Sequence, residues 1–106
     1  MGAAVRRRLP ARRACEGFDA VAMGLRFHVT LGWFVDGRLA EVFLDASKAG
    51  SAADTAARDS AVLASLGLQA GMPPDALLHA LVKDSVGRAM SPIGRVLEMI
   101  VEESCT

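Results

Sequence analysis

Residues 32–71 constrain the fold more than any other part of the chain. They read GWFVDGRLAEVFLDASKAGSAADTAARDSAVLASLGLQAG: two alternating runs meet at Asp36-Gly37, and an alanine-rich helical stretch follows. Asp-Gly suits a two-residue type I′ hairpin loop, because both central residues need positive φ and glycine adopts it without steric cost. That turn predicts Val35 opposite Arg38, Phe34 opposite Leu39, Trp33 opposite Ala40, Leu31 opposite Val42, Val29 opposite Leu44 and His28 opposite Asp45. Side chains alternate between the two faces of a sheet. One face therefore carries Phe27, Val29, Leu31, Trp33, Ala40, Val42 and Leu44, is wholly apolar, and must meet the core. The other mixes His28, Thr30 and Glu41 with Phe34, Leu39 and Phe43.

Ser51 is placed to cap the helix that follows, with Asp54 at its third position to answer the cap and favour the positive helix end. Ala56, Leu63, Leu66 and Ala70, with Val62 beside them, recur at helical spacing and predict its buried face. Gly71 and Pro73-Pro74 stop it. Upstream, residues 16–22 form a first strand with Phe18, Ala20 and Ala22 on one face, and Met23-Gly24 turns it into the next. Short links make these three strands sequential neighbours.

Downstream, Pro73 or Pro74 opens a second helix, in which Asp75 suits the positive end and Leu77, Leu78, Leu81 and Val82 make the stripe. Ser91 caps a third that begins at Pro92, with Ile93, Val96, Leu97, Ile100 and Val101 inward. The expected fold is α+β: a three-stranded antiparallel β-meander followed by three helices packed on one face. Residues 1–14 read as a basic arm and 15–106 as a single domain.

Composition sets the outer limits. A chain of 106 residues makes one domain. Its 52% hydrophobic content supports a core, yet no apolar run approaches the roughly 20 residues of a membrane span. Basic and acidic residues balance at 12 each, but Arg6, Arg7, Arg8, Arg12 and Arg13 fall in the first 13 positions with no acid among them. A basic arm thus precedes an acidic body. The arm is either a solvated tail or a contact for nucleic acid or an acidic partner. It has no interleaved aromatic residue and no recognisable reading helix. Cys15 and Cys105, with no signal-peptide pattern, fit a reducing cytoplasm better than a disulfide framework.

The central stretch resembles the TSCPD domain family. The resembling residues are Asp36-Gly37-Arg38, Glu41-Val42-Phe43, Lys48-Ala49-Gly50-Ser51 and Ser65-Leu66-Gly67-Leu68-Gln69 before Gly71, with Ser91-Pro92-Ile93-Gly94 as a weaker tail match. Their order and spacing span roughly residues 18–100. That family occurs at the C-terminal end of adenosylcobalamin-dependent ribonucleotide reductases, and alone in many bacterial and prophage proteins. The chain lacks a Thr-Ser-Cys-Pro-Asp run and a cysteine-rich segment, so no metal or redox role carries over. The resemblance implies kinship with an accessory domain. It does not imply reductase activity, because the family's catalytic unit is a large barrel with a thiyl-forming cysteine.

The residues that invite chemistry are few. His28 and Asp45 face each other across the hairpin, as a surface pair or a dyad. His79 has no second ligand one turn away. Ser60 and Ser65 lie inside a helix, where packing or back-bonding is the default. Glu41 and Asp45 share the outer sheet face. Lys48, Gly50 and Ser51, at a helix N-terminus, form the best small-anion or nucleotide site, although the P-loop spacing is absent. No cofactor or metal is expected. The leading expectation is a stand-alone, non-catalytic binding or regulatory domain, phage-derived and acting on a protein or nucleic acid. The alternative is a component of nucleotide metabolism that binds a nucleotide or assists deoxyribonucleotide synthesis in trans; a small enzyme is least favoured. Phe34, Leu39 and Phe43, exposed together on the outer sheet face, predict a homodimer there.

Overall fold

A computed structural model describes residues 15–48 and 50–104. Strands β1 (Cys15–Ala22), β2 (Leu25–Trp33) and β3 (Leu39–Ala46) form an antiparallel meander in the order β1-β2-β3. Helices α1 (Ala52–Gln69), α2 (Pro74–Ala80) and α3 (Pro92–Ser104) follow. The expected architecture is present.

The two hairpins exchange the turn chemistry that sequence predicts. The two-residue loop with both φ positive is Met23-Gly24, at 55° and 73°. Asp36-Gly37 instead belongs to a three-residue loop, Val35-Asp36-Gly37. The Gly37 N–H donates to the Phe34 carbonyl (2.9 Å) and the Phe34 N–H to the Arg38 carbonyl (2.8 Å). This is a type I turn followed by a glycine in the left-handed region, here at φ 87°. The Asp36 carboxylate accepts the Arg38 N–H at 3.2 Å and steadies the turn.

The longer loop moves the register near the turn. Leu31 faces Val42, Val29 faces Leu44 and His28 faces Asp45, as expected. Gly32 then faces Glu41 but Trp33 faces Leu39, so Ala40 is an extra residue in β3. Such a bulge switches the alternation beyond it. Leu39 therefore joins the core cluster, only 5% exposed. Phe34, which precedes the turn and is not part of that cluster, is also buried, at 4%. The predicted exposed trio does not exist: Phe43 remains on the surface, 45% exposed.

Helix α1 also turns a different face inward. Its buried apolar residues are Ala57, Ala61, Ala64 and Leu68, whereas Leu63 and Leu66 are 69% and 42% exposed, with Ala56, Val62 and Ala70 also outward. The cause is the free edge of β3. Ser47 N–H bonds to the Arg26 carbonyl on β2. Hydrogen-bonding direction alternates along a strand, so the even-numbered residues of β3 point their backbone groups away from β2. Helix α1 runs antiparallel alongside and satisfies them. The Ala46 N–H donates to Asp54 Oδ1 (2.9 Å) and the Val42 N–H to Ser65 Oγ (2.8 Å). The Ser65 hydroxyl returns a bond to the Val42 carbonyl (3.1 Å), and Gln69 Nε2 donates to the Ala40 carbonyl (3.2 Å). Side chains this short reach a strand only if the helix backbone comes close, which requires alanines, not leucines, between them.

The core lies between the sheet's inner face and α1 and α3. It includes Phe27, Val29, Leu31, Val42 and Leu44 from the sheet and Ile93, Val96, Leu97 and Ile100 from α3. Helix α3 follows the sequence reading: Ser91 Oγ accepts the Gly94 N–H, and Pro92 opens the helix. Helix α2 packs by half-buried Leu77, Leu78 and Leu81, but it ends at Ala80, and Val82 is exposed beyond it.

Two stability outcomes follow. Replacing Met23 by Asn, a residue that tolerates positive φ, relieves about 1 kcal/mol of backbone strain and should raise the melting temperature. Ser65→Ala leaves the buried Val42 groups without their partner and should cost about 1–3 kcal/mol, read by urea denaturation; an unchanged midpoint would mean that the edge bonds are dispensable.

Candidate functional site

The connection from β3 to α1 contains the predicted anion site. Lys48 and Gly50 are exposed and Ser51 is half-buried. Ser51 caps α1 as expected: its Oγ accepts the Asp54 N–H (3.1 Å) and its hydroxyl donates to the Lys48 carbonyl (3.0 Å). The Gly50 N–H, however, donates to Asp54 Oδ2 at 3.1 Å. Asp54 does not close a capping box on Ser51 itself. It reaches one residue further back to Gly50 and across to Ala46 on β3. The positive end of α1 is thus filled by a buried carboxylate of the same chain.

Arg58 extends this cluster to the surface. Its Nε donates to both Asp54 oxygens at 3.1 Å, and its Nη2 lies 2.7 Å from Asp45 Oδ1. The Ala46 N–H, then that of Gly50, and finally Arg58 hold the Asp54 carboxyl below its ordinary value, against the opposing effect of burial. Asp54, and secondarily Asp45, raise Arg58.

Beside this cluster is a groove of about 410 Å³ on the seam between β3 and α1, lined by Thr30, Phe43, Leu44, Asp45, Arg58 and Val62. Exposed Leu66 stands one helical turn beyond Val62. An exposed ring and two aliphatic side chains thus adjoin an ion pair at one end. This has the make-up of a protein-docking face, an apolar centre with a charged rim. It is poorly suited to a phosphate, because the one guanidinium is shared by two carboxylates.

The other predicted residues fall elsewhere. His28 stands opposite Asp45, but its Nδ1 lies 3.1 Å from Asp19 Oδ1 on β1, with both side chains exposed. Glu41 is buried against Gly32, where a Cβ would come within 2.6 Å of it, while Asp45 is committed to Arg58. The Ser60 hydroxyl back-bonds to the Ala57 carbonyl, and His79 is exposed in the last turn of α2. Arg6, Arg7, Arg8, Arg12 and Arg13 lie outside the described residues. Among the described residues no group of His, Cys, Asp and Glu could hold a metal ion, and no helix is long and apolar enough to cross a membrane. Sequence reasoning missed Arg58, Gln69 and the edge-binding role of Ser65. The available signal was the polar series Asp54, Arg58, Ser65, Gln69, which recurs along one side of an otherwise alanine-rich helix.

Comparison with known proteins places this architecture. The sequence pattern of the TSCPD domain matches residues 4–105. The chain belongs to the TSCPD domain family. It is 37% identical over 75 residues to a vitamin B12-dependent ribonucleotide reductase of Bradyrhizobium diazoefficiens, and 36% identical over 75 residues to one of Agrobacterium fabrum. Each match covers 71% of this chain and 6% of the reductase, so the TSCPD domain here corresponds to a small part of those proteins. No solved structure matches the chain.

The Asp54 cluster gives this TSCPD domain a signed acid dependence. A carboxyl held below the ordinary value of 3.8 in the folded state contributes stability that is present above that value and lost as pH falls through the folded one. Melting temperature should therefore drop on acidification below about pH 4, and less steeply in Asp54→Asn, which is already weakened at neutral pH. Parallel acid slopes would remove Asp54 from this role.

Proposed function

We propose that this TSCPD domain is a non-catalytic protein-binding module of ribonucleotide reduction, which docks on a reductase polypeptide through the groove between β3 and α1. The observation that carries the reading is the exposed band of Phe43, Val62 and Leu66 beside the Asp45–Arg58 pair. A folded chain of this size hides large apolar side chains where it can. Here α1 turns three alanines and Leu68 inward and leaves Val62, Leu63 and Leu66 outside. The similarity to two vitamin B12-dependent reductases supports the choice of partner. A nucleotide-binding role has less support, since of Lys48, Gly50 and Ser51 the Gly50 N–H is already given to Asp54 and the Ser51 hydroxyl to the Lys48 carbonyl.

Interferometry with immobilised vitamin B12-dependent reductase, lacking its own matching segment, tests this. The wild-type chain should bind. The double variant Val62→Glu, Leu66→Glu should bind at least about tenfold more weakly, as hot-spot losses do, with an unchanged circular dichroism spectrum. Equal binding by the two proteins, or none by the wild type, would reject the reading.

A further inference from the structure

A cavity of about 240 Å³ lies where the β2–β3 turn, the link from α1 to α2 and helix α3 meet. Its lining combines buried Leu39 and Ile100 with the more exposed Trp33, Arg38, Met72 and Pro73. It shares no residue with the α1–β3 groove. Trp33 is the chain's one tryptophan, half-buried against the core. Among the described residues its indole N–H has no hydrogen-bond partner, and neither does the Arg38 guanidinium. Arg58 and Arg88, by contrast, are each tied to carboxylates. Arg38 is nonetheless fixed at its root. Its carbonyl accepts the Phe34 N–H at 2.8 Å, and Asp36 Oδ1 accepts its backbone N–H at 3.2 Å, not its guanidinium. The side chains around the cavity thus supply two unspent donors and, apart from the weak Met72 sulfur, no acceptor.

We propose that this cavity binds a small aromatic carboxylate, one ring on a short acidic arm, with the ring against Trp33 and Met72 and the carboxylate on Arg38 and the indole N–H. Three separate properties choose this ligand. The first is its ring. An indole face favours offset stacking with a second aromatic ring, and a thioether is attracted to ring edges. An aliphatic chain gains burial from Leu39, Pro73 and Ile100 but neither of these contacts. The second is its head. A carboxylate only accepts, and it matches a guanidinium in two parallel bonds. A neutral amide would bring an N–H that no side chain here receives. The third is size. The cavity is smaller than the roughly 300 Å³ at which sites that enclose drug-sized ligands begin, so it takes one ring with its acid and not a whole nucleotide. This site does not depend on docking through the α1–β3 groove, so the two readings stand or fall separately.

The test uses the full chain. Trp33 is its one tryptophan and it has no tyrosine, so the emission reports from the site itself. Titration with 3-phenylpropionate should give a saturable change in that emission, with a midpoint on the order of 1 mM, the scale for a ligand of about a dozen heavy atoms. 3-Phenylpropionamide, which keeps the shape without the charge, and butanoate, which lacks the ring, should each bind at least about tenfold more weakly. Arg38→Gln should bring the acid down to the level of the amide and leave the amide unchanged, which separates a lost head contact from a lost fold. Arg38→Lys should recover part of the difference. The amide resonances of Gly37 and Met72, which line the cavity, should shift as the acid is added. No saturable change, equal binding of acid and amide, undiminished binding by Arg38→Gln, or shifts centred on other residues would overturn the proposal. So would tighter binding of uridine monophosphate than of 3-phenylpropionate, since that makes the ligand a nucleotide.

Discussion

The hydrogen bonds between α1 and the free edge of β3 are the contact on which the rest of this TSCPD domain depends. A three-stranded meander has too little sheet to hide its own edges, and an unpaired backbone group shut away from water costs free energy. Here a helix takes the place of a fourth strand. Asp54, Ser65 and Gln69 meet Ala46, Val42 and Ala40 in order along two antiparallel elements. The match is one of rise: 11 helical residues advance about 16 Å and four strand residues about 13 Å. This contact fixes the rotation of α1 about its own axis. It thereby decides which side chains fill the core and which are left exposed.

The same contact explains the behaviour of the helix start. A helix N-terminus attracts an anion. In this chain the anion is internal. Asp54 gathers the Gly50 and Ala46 N–H groups, and Arg58 ties it to Asp45. The result is a closed electrostatic corner that joins strand, loop and helix, beside a groove whose remaining chemistry is apolar. The α1–β3 seam offers aromatic and aliphatic surface beside a neutralised arginine.

Local pattern carried much of the fold. The strands were legible from alternation, the meander from its short links, and α3 from a full apolar stripe begun by Ser-Pro. All of these are encoded within a few residues of where they act. The site was less legible. Lys48, Gly50 and Ser51 read correctly as a helix start, yet what occupies that start depends on Ala46, which belongs to the preceding strand. The outer patch failed at Leu39 for a related reason: one extra residue, Ala40, changes the face that Leu39 occupies, and an Asp-Gly pair is compatible with loops of two or three residues.

What the sequence determined by itself was the order and type of the elements, because periodicity and capping are local. What only the tertiary structure decided was the face of α1. Its sequence offers two stripes, Ala56-Leu63-Leu66-Ala70 and Ala57-Ala61-Ala64-Leu68, and hydrophobicity alone favours the one with more leucines. The folded chain buries the smaller one. The edge of β3 needs hydrogen-bond donors and acceptors at contact distance, and only the side of the helix that combines alanine with Asp54, Ser65 and Gln69 can approach closely enough to supply them.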